Sequence, residues 1–216
     1  MTGRLIFLRH GQTTSNVARR LDTRPPGAPL TELGLAQAAA LVPTLAEEPI
    51  RAVLSSLARR AQATAAPLAA ARGLQVDPRP GLHEVDVGIY EDRSDDEAHH
   101  GFVLVFQAWH SGRLDESMPG GESGTEVLAR FAPLLAEVRA QPGRGTVVVV
   151  SHGAAIRLVA SVAAGVDGRF ALANALDNTA AVVLEPAGVD GWACTAWGSH
   201  RPPFDPPAVP QVDDGT

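Results

Sequence analysis

The chain has 216 residues, 45% of them hydrophobic, and a formal net charge of −6. That length allows one domain with a sizeable core, and the acidic balance argues against nonspecific nucleic-acid binding, so an anionic ligand must meet a local positive pocket. The single cysteine, Cys194, excludes an intramolecular disulfide framework and a cysteine-built zinc site, while a set of 18 basic residues that are all arginine excludes Schiff-base chemistry and a P-loop.

Residues 4–9 form a short apolar run, read as a buried strand, that stops at Arg9-His10-Gly11, where the glycine permits a sharp turn. A short helix is expected near 13–20, then a Pro/Gly-rich loop at 25–29. Thr31 is the N-cap of an alanine-rich helix reaching about residue 46. A second strand covers 51–55, and a helix runs over about 57–71 with a kink expected at Pro67. A third strand follows at 74–77. Residues 82–122 read as irregular except for one helix near 95–111, and another helix spans about 123–140. The valine run 146–151 is the most strand-like stretch and ends at Ser151-His152-Gly153. A helix at 153–164 and strands near 179–185 and 192–198 complete the pattern, and the proline-rich tail from Arg201 is expected to be disordered.

This alternation predicts an α/β fold: a three-layer, doubly wound, mostly parallel sheet with helices on both faces. We read residues 1–200 as one domain, 86–120 as a lid insertion within it, and 201–216 as the tail. No apolar run approaches a membrane span and no signal-peptide pattern opens the chain, so no membrane partner and a cytoplasmic location are expected. Exposed sheet edges would allow a homodimer.

In such sheets ligands bind beyond the carboxyl ends of the strands. Arg9-His10, Arg59-Arg60, Glu84 and His152 all fall on that rim. Each is weak alone: a histidine at a strand end is usually a satisfied polar group, and an arginine in a first helical turn is often solvated. Their shared location after successive strands gives them weight. An imidazole pair flanked by arginines can accept a phosphoryl group and hold its charge. No ligand cluster for a metal is evident; His99, His100 and His110 are read as helix surface. Phe102, Phe106 and Trp109 recur at helical spacing and read as an apolar face packed on the core, which could also close the pocket if that helix caps it.

Several stretches, in order, resemble the histidine phosphatase superfamily, the phosphoglycerate-mutase-like proteins. They are Leu8-Arg9-His10-Gly11-Gln12-Thr13 with Asn16; Leu30-Thr31-Glu32-Leu33-Gly34 with Gln37-Ala38; Ser55-Ser56 with Arg60-Ala61 and Thr64-Ala65; Leu82-His83-Glu84 with Gly88 and Tyr90-Glu91; Pro119-Gly120-Gly121-Glu122-Ser123; and Ser151-His152-Gly153 with Ile156-Arg157. The resemblance covers about residues 4–185. It implies that His10 is a nucleophile forming phosphohistidine, that Arg9, Arg60 and His152 bind the phosphoryl oxygens, and that Glu84 is the general acid and base. Asn16, Thr13 and the N–H of Ala154 would bind substrate, with neither metal nor cofactor.

The chain departs from the family pattern at several points. Leu57-Ala58 follow the serine pair where Pro or Asp, then Leu, is usual; Ala63 replaces a glutamine, Tyr90 a common tryptophan and Asp92 a usual glycine. Leu21-Asp22-Thr23-Arg24-Pro25 stands where the glycolytic mutases carry Gly-Trp-x-Asp. This favours a phosphomonoesterase acting on a small phosphorylated metabolite. A mutase is the runner-up and a catalytically silent phosphate-binding protein the third reading. A serine hydrolase elbow is excluded, because Gly121-Glu122-Ser123-Gly124-Thr125 lacks the final glycine of Gly-x-Ser-x-Gly and follows no strand.

Overall fold

The computed structural model describes residues 3–141 and 145–207. In chain order the elements are β1 (Arg4–Arg9), α1 (Thr14–Val17), α2 (Glu32–Thr44), β2 (Ile50–Ser55), α3 (Arg59–Ala71) and β3 (Val76–Pro78). A single 3-10 turn at Gly88–Tyr90 leads to α4 (Asp96–His110), α5 (Gly124–Arg139), β4 (Thr146–Ser151), α6 (Gly153–Ala164), α7 (Gly168–Ala173), β5 (Ala181–Ala187) and β6 (Gly191–Trp197).

The strands form one sheet in the order β3-β2-β4-β1-β5-β6. The β3–β2, β2–β4 and β4–β1 pairs are parallel, whereas β5 and β6 join antiparallel. The fold is therefore the expected α/β sheet. Every residue of β4 is buried, as a strand covered on both faces requires, and this explains its unbroken valine run.

The period-two pleat sorts the central strands between two cores. Leu5, Phe7, Val147 and Val149 face a large cluster with Phe131 of α5 and Ile156 and Val159 of α6. Ile6, Leu8, Val148 and Val150 face a smaller one with Leu41 of α2 and Ala61, Ala65 and Leu68 of α3. Thr31 caps α2 as expected, its hydroxyl accepting from the Gly34 amide at 3.0 Å. Gly34 is small for a packing reason: a Cβ there would lie 2.1 Å from the Gln12 carbonyl oxygen. The start of α2 thus presses directly on the loop that follows β1.

α3 runs through Pro67 as one element, in the place expected. Three expectations need correction. α1 ends at Val17, because the chain turns at Arg19 with φ +52°. α7 was not foreseen; it is one short stretch whose cap, Asp167, accepts from the Arg169 amide at 2.7 Å. The tail is packed as far as Phe204, whose ring centroid lies 5.1 Å from that of Phe170; residues 208–216 lie outside the described part. Among the described residues no helix is long and apolar enough to cross a membrane.

Candidate active site

β1 and β4 run parallel and in register, with Leu8 opposite Val150 and Arg9 opposite Ser151. The next residue on each strand is a histidine, so His10 and His152 arrive side by side. Their ring centroids are 5.1 Å apart and their planes are inclined at 63°. Both are buried, at 4% and 0% exposure.

The two imidazoles are oriented differently. His10 Nδ1 lies 2.8 Å from its neighbour's Gly11 carbonyl oxygen, so Nδ1 carries the proton and donates. His10 Nε2 then presents a lone pair, which accepts from Arg60 Nε at 3.2 Å. His152 Nδ1 accepts from Arg60 Nη2 at 3.3 Å, which leaves Nε2–H to donate to Ser56 Oγ at 2.8 Å. Burial, reinforced by the Arg60 guanidinium, pushes His10 down to about 3. The same causes, in the same order, hold His152 well below the ordinary histidine value. Both rings are therefore neutral at physiological pH.

Arg60 enters from the first turn of α3 and is 2% exposed. Its Nη2 also donates to the Asp22 carbonyl at 2.9 Å, and Nη1 stands 3.5 Å from the Asp22 carboxylate. Arg9 donates from Nη1 to the Leu176 carbonyl at 2.5 Å. Arg9 Nε and Arg60 Nη1 are both buried without a hydrogen bond. Burial lowers the pKa of each arginine, and nearby carboxylates oppose the shift. Arg59, its companion in sequence, is exposed.

Glu84 approaches from the loop after β3. Its carboxylate accepts from the amides of Val85 at 3.0 Å, Ala154 at 3.2 Å and Ala155 at 2.9 Å. Its carboxyl group thus takes up the first free N–H groups of α6. The Ala154 N–H, expected to serve a substrate directly, is taken up by Glu84.

Arg9, His10, Thr13, Asn16, Arg60, Glu84 and Ala154 line one cavity of about 210 Å³, and His152 lies beneath it against Arg60. Thr13 caps α1 in a reciprocal pair with Asn16: each backbone amide donates to the other's side chain at 3.1 Å. Phe102 and Val87 contribute to the cavity from the 86–120 segment. Phe102 stacks on Phe106 with centroids 5.4 Å apart, so its ring serves both core and cavity, while Phe106 and Trp109 are core alone. Among the described residues no group of three or more His, Cys, Asp or Glu is disposed to hold a metal ion.

Two participants are given no role by the sequence: Asn178, which carries no mark there, and Arg157, which stands in the last family motif. Asn178 Nδ2 donates to the His10 carbonyl at 2.9 Å and lies 3.3 Å from Asn16 Oδ1. It precedes β5, and only the antiparallel return of β5 beside β1 brings it to this rim. Arg157 lines the cavity from α6 with its guanidinium 4.6 Å from the Phe106 ring, and burial lowers it to about 10. Of the helix histidines, His99 donates to the Arg19 carbonyl at 2.8 Å and His100 is exposed. His110 is not surface: its Nε2 is buried without a partner, and burial, then Arg157, lowers it to about 4.

Two converging histidines and two arginines with unpaired donors form a site that can receive a phosphoryl group. The sequence comparisons agree: the model of the histidine phosphatase superfamily (branch 1) matches residues 5–200, and the chain belongs to that superfamily. It is 31% identical, over 94% of its own length, to the PE-PGRS family protein PE_PGRS11 of Mycobacterium tuberculosis (strain ATCC 25618 / H37Rv), a longer protein of which the match covers 37%. It is 28% identical to the probable phosphoglycerate mutase GpmB of Yersinia pestis (strain Pestoides F), over 96% of this chain and 98% of that one. Among solved structures, a mycobacterial glucosyl-3-phosphoglycerate phosphatase superposes with a TM-score of 0.78 at 28% identity, over 93% of this chain and 100% of that one.

Proposed function

We propose that the protein is a phosphomonoesterase that hydrolyses a small phosphorylated metabolite through phosphohistidine at His10, without a metal ion. The observation that carries this reading is the 2.8 Å contact of His10 Nδ1 with the Gly11 carbonyl oxygen, which leaves Nε2 to offer its lone pair toward the arginines.

In the first step His10 Nε2 attacks phosphorus, the P–N bond forms and the P–O bond to the leaving group breaks. Arg9 and Arg60 hold the equatorial oxygens, the electrostatic role that dominates phosphoryl transfer. His152, whose two nitrogens are taken by Arg60 and Ser56, braces Arg60 rather than touching the phosphoryl group as expected. Asn16 and Thr13, which line the same cavity, assist. Glu84 delivers its proton to the departing oxygen. In the second step water gives a proton to Glu84 and attacks phosphorus. The P–N bond breaks, its electron pair returns to Nε2, and inorganic phosphate leaves. Phe102 and Val87, which line the cavity, support reading the segment 86–120 as its lid. The phosphatase named among the structural neighbours supports hydrolysis.

The relative named as a probable phosphoglycerate mutase favours a second reading, in which a phosphoglycerate rather than water receives the phosphoryl group. Phosphate release from a panel of phosphomonoesters, with EDTA present, tests the proposal on wild type and His10→Ala. Release by wild type alone is expected. Release by His10→Ala as well would overturn phosphohistidine chemistry, and interconversion of phosphoglycerates without net phosphate release would favour the mutase.

A further inference from the structure

The Pro119-Gly120-Gly121-Glu122-Ser123 motif contributes no side chain to the chemistry above, yet it sits against the loop that carries Glu84. Its contact is close. A Cβ on Gly121 would lie 2.2 Å from the Asp86 carbonyl oxygen, and one on Gly88 would lie 2.0 Å from the Pro119 carbonyl oxygen. The Glu122 amide donates to the Asp86 carbonyl at 3.0 Å, and Glu122 Oε2 accepts from the Asp86 amide at 2.9 Å.

Arg130, two turns along α5, completes the clamp. Nη1 donates to the carbonyls of Gly81 at 2.7 Å and His83 at 2.8 Å, and Nη2 donates to the carbonyl of Glu84 at 3.1 Å. The same guanidinium forks onto Glu122, from Nε to Oε1 at 2.8 Å and from Nη2 to Oε2 at 3.0 Å. Both side chains are largely shielded, at 13% and 18% exposure. Every nitrogen of Arg130 is thus spent on the Glu84 loop or on the residue that braces it. With the peptide oxygen of Glu84 fixed on one side, its carboxylate reaches the α6 amides on the other.

We infer that Arg130, braced by Glu122, is a positioning residue that sets the Glu84 carboxylate at the leaving-group oxygen. The inference rests on the phosphatase reading and on Glu84 as its proton donor. A planar fork is needed because several acceptors must be met at fixed angles; lysine keeps the charge but cannot do so.

The test exploits leaving-group chemistry. p-Nitrophenolate departs without a proton, whereas phenolate from phenyl phosphate is a poorer leaving group and depends more on the acid. We would measure kcat/KM, which reports only steps up to loss of the alcohol, for both esters on wild type, Glu84→Gln, Arg130→Met, Arg130→Lys and Glu122→Gln. Arg130→Met is expected to lose on the order of 100-fold on phenyl phosphate but only about threefold on p-nitrophenyl phosphate, in the pattern of Glu84→Gln. Arg130→Lys should show the same split to a smaller degree. A purely structural role predicts equal losses on both esters. Parallel losses, or none, in Arg130→Met while Glu84→Gln shows the split would overturn this inference and leave the phosphatase reading intact. If Arg130→Met does not fold, Arg130→Lys and Glu122→Gln decide on the same criterion. A wild type that hydrolyses neither ester would overturn the phosphatase reading, and with it the inference.

Discussion

Arg60 and His10 meet at 3.2 Å, guanidinium Nε to imidazole Nε2, inside a site where they are 2% and 4% exposed. One arginine thereby faces the His10 nitrogen proposed to attack and, through Nη2, the partner ring of His152. Replacing Arg60 by methionine removes a preorganised cation from the phosphoryl site. We expect kcat to fall by about 100- to 1000-fold, the scale of losing one transition-state donor. Arg60→Lys should recover little, since a single ammonium cannot serve both rings and Asp22. Steady-state phosphate release checks this; a variant within threefold of wild type would refute the role.

Thr64 is the joint between the two strand-end motifs. Its hydroxyl accepts from the Gly11 amide at 2.9 Å and donates to the Arg60 carbonyl at 2.7 Å. Thr64→Val preserves shape but leaves a buried amide unpaired, at about 1–3 kcal/mol of stability. Urea unfolding should show a lower midpoint at unchanged slope, and Thr64→Ser should retain most of the wild-type value. An unaltered midpoint for valine would count against the joint.

His110 has a pH signature. Its folded-state value is lowered to about 4 from an ordinary 6.5, so the unfolded chain binds more protons across that window. Stability is therefore full above about pH 6.5 and is lost as pH falls toward 4. The His110 contribution is on the order of 3 kcal/mol. His110→Leu should flatten the acid side of a melting-temperature profile between pH 4 and 6.5. His10 and His152 remain to give a residual slope, so a profile identical to wild type is the result that would defeat the prediction.

Phe102 should discriminate among leaving groups without touching the phosphoryl group. It lines the cavity while stacked on Phe106. Phe102→Ala removes apolar contact worth about 1–2 kcal/mol, so KM for an aryl phosphate should rise roughly 5- to 30-fold. Inhibition by inorganic phosphate should be unchanged, because on the proposed mechanism that anion meets Arg9 and Arg60 and not Phe102. A parallel weakening of both would place Phe102 elsewhere in the binding event.

By itself the sequence determined the alternation of strands and helices, the two strand-end histidines and the arginine after the second strand. The strands follow from a local rule: valine runs demand burial on both faces. The family motifs, being local strings, were equally legible. What the sequence could not settle was pairing. The register that sets His10 level with His152 is a property of β1 against β4, and Asn178 reaches the site only because β5 returns antiparallel. Glu84 could be named from its motif, but its seat on the α6 amides, and the grip of Arg130 on its loop, join residues 46 to 71 positions apart. His110 looked like helix surface because its own helix is amphipathic; α6 and α7 are what bury it. Tertiary structure decides these points because burial, and with it charge and proton affinity, is a property of what packs against a residue rather than of its neighbours along the chain.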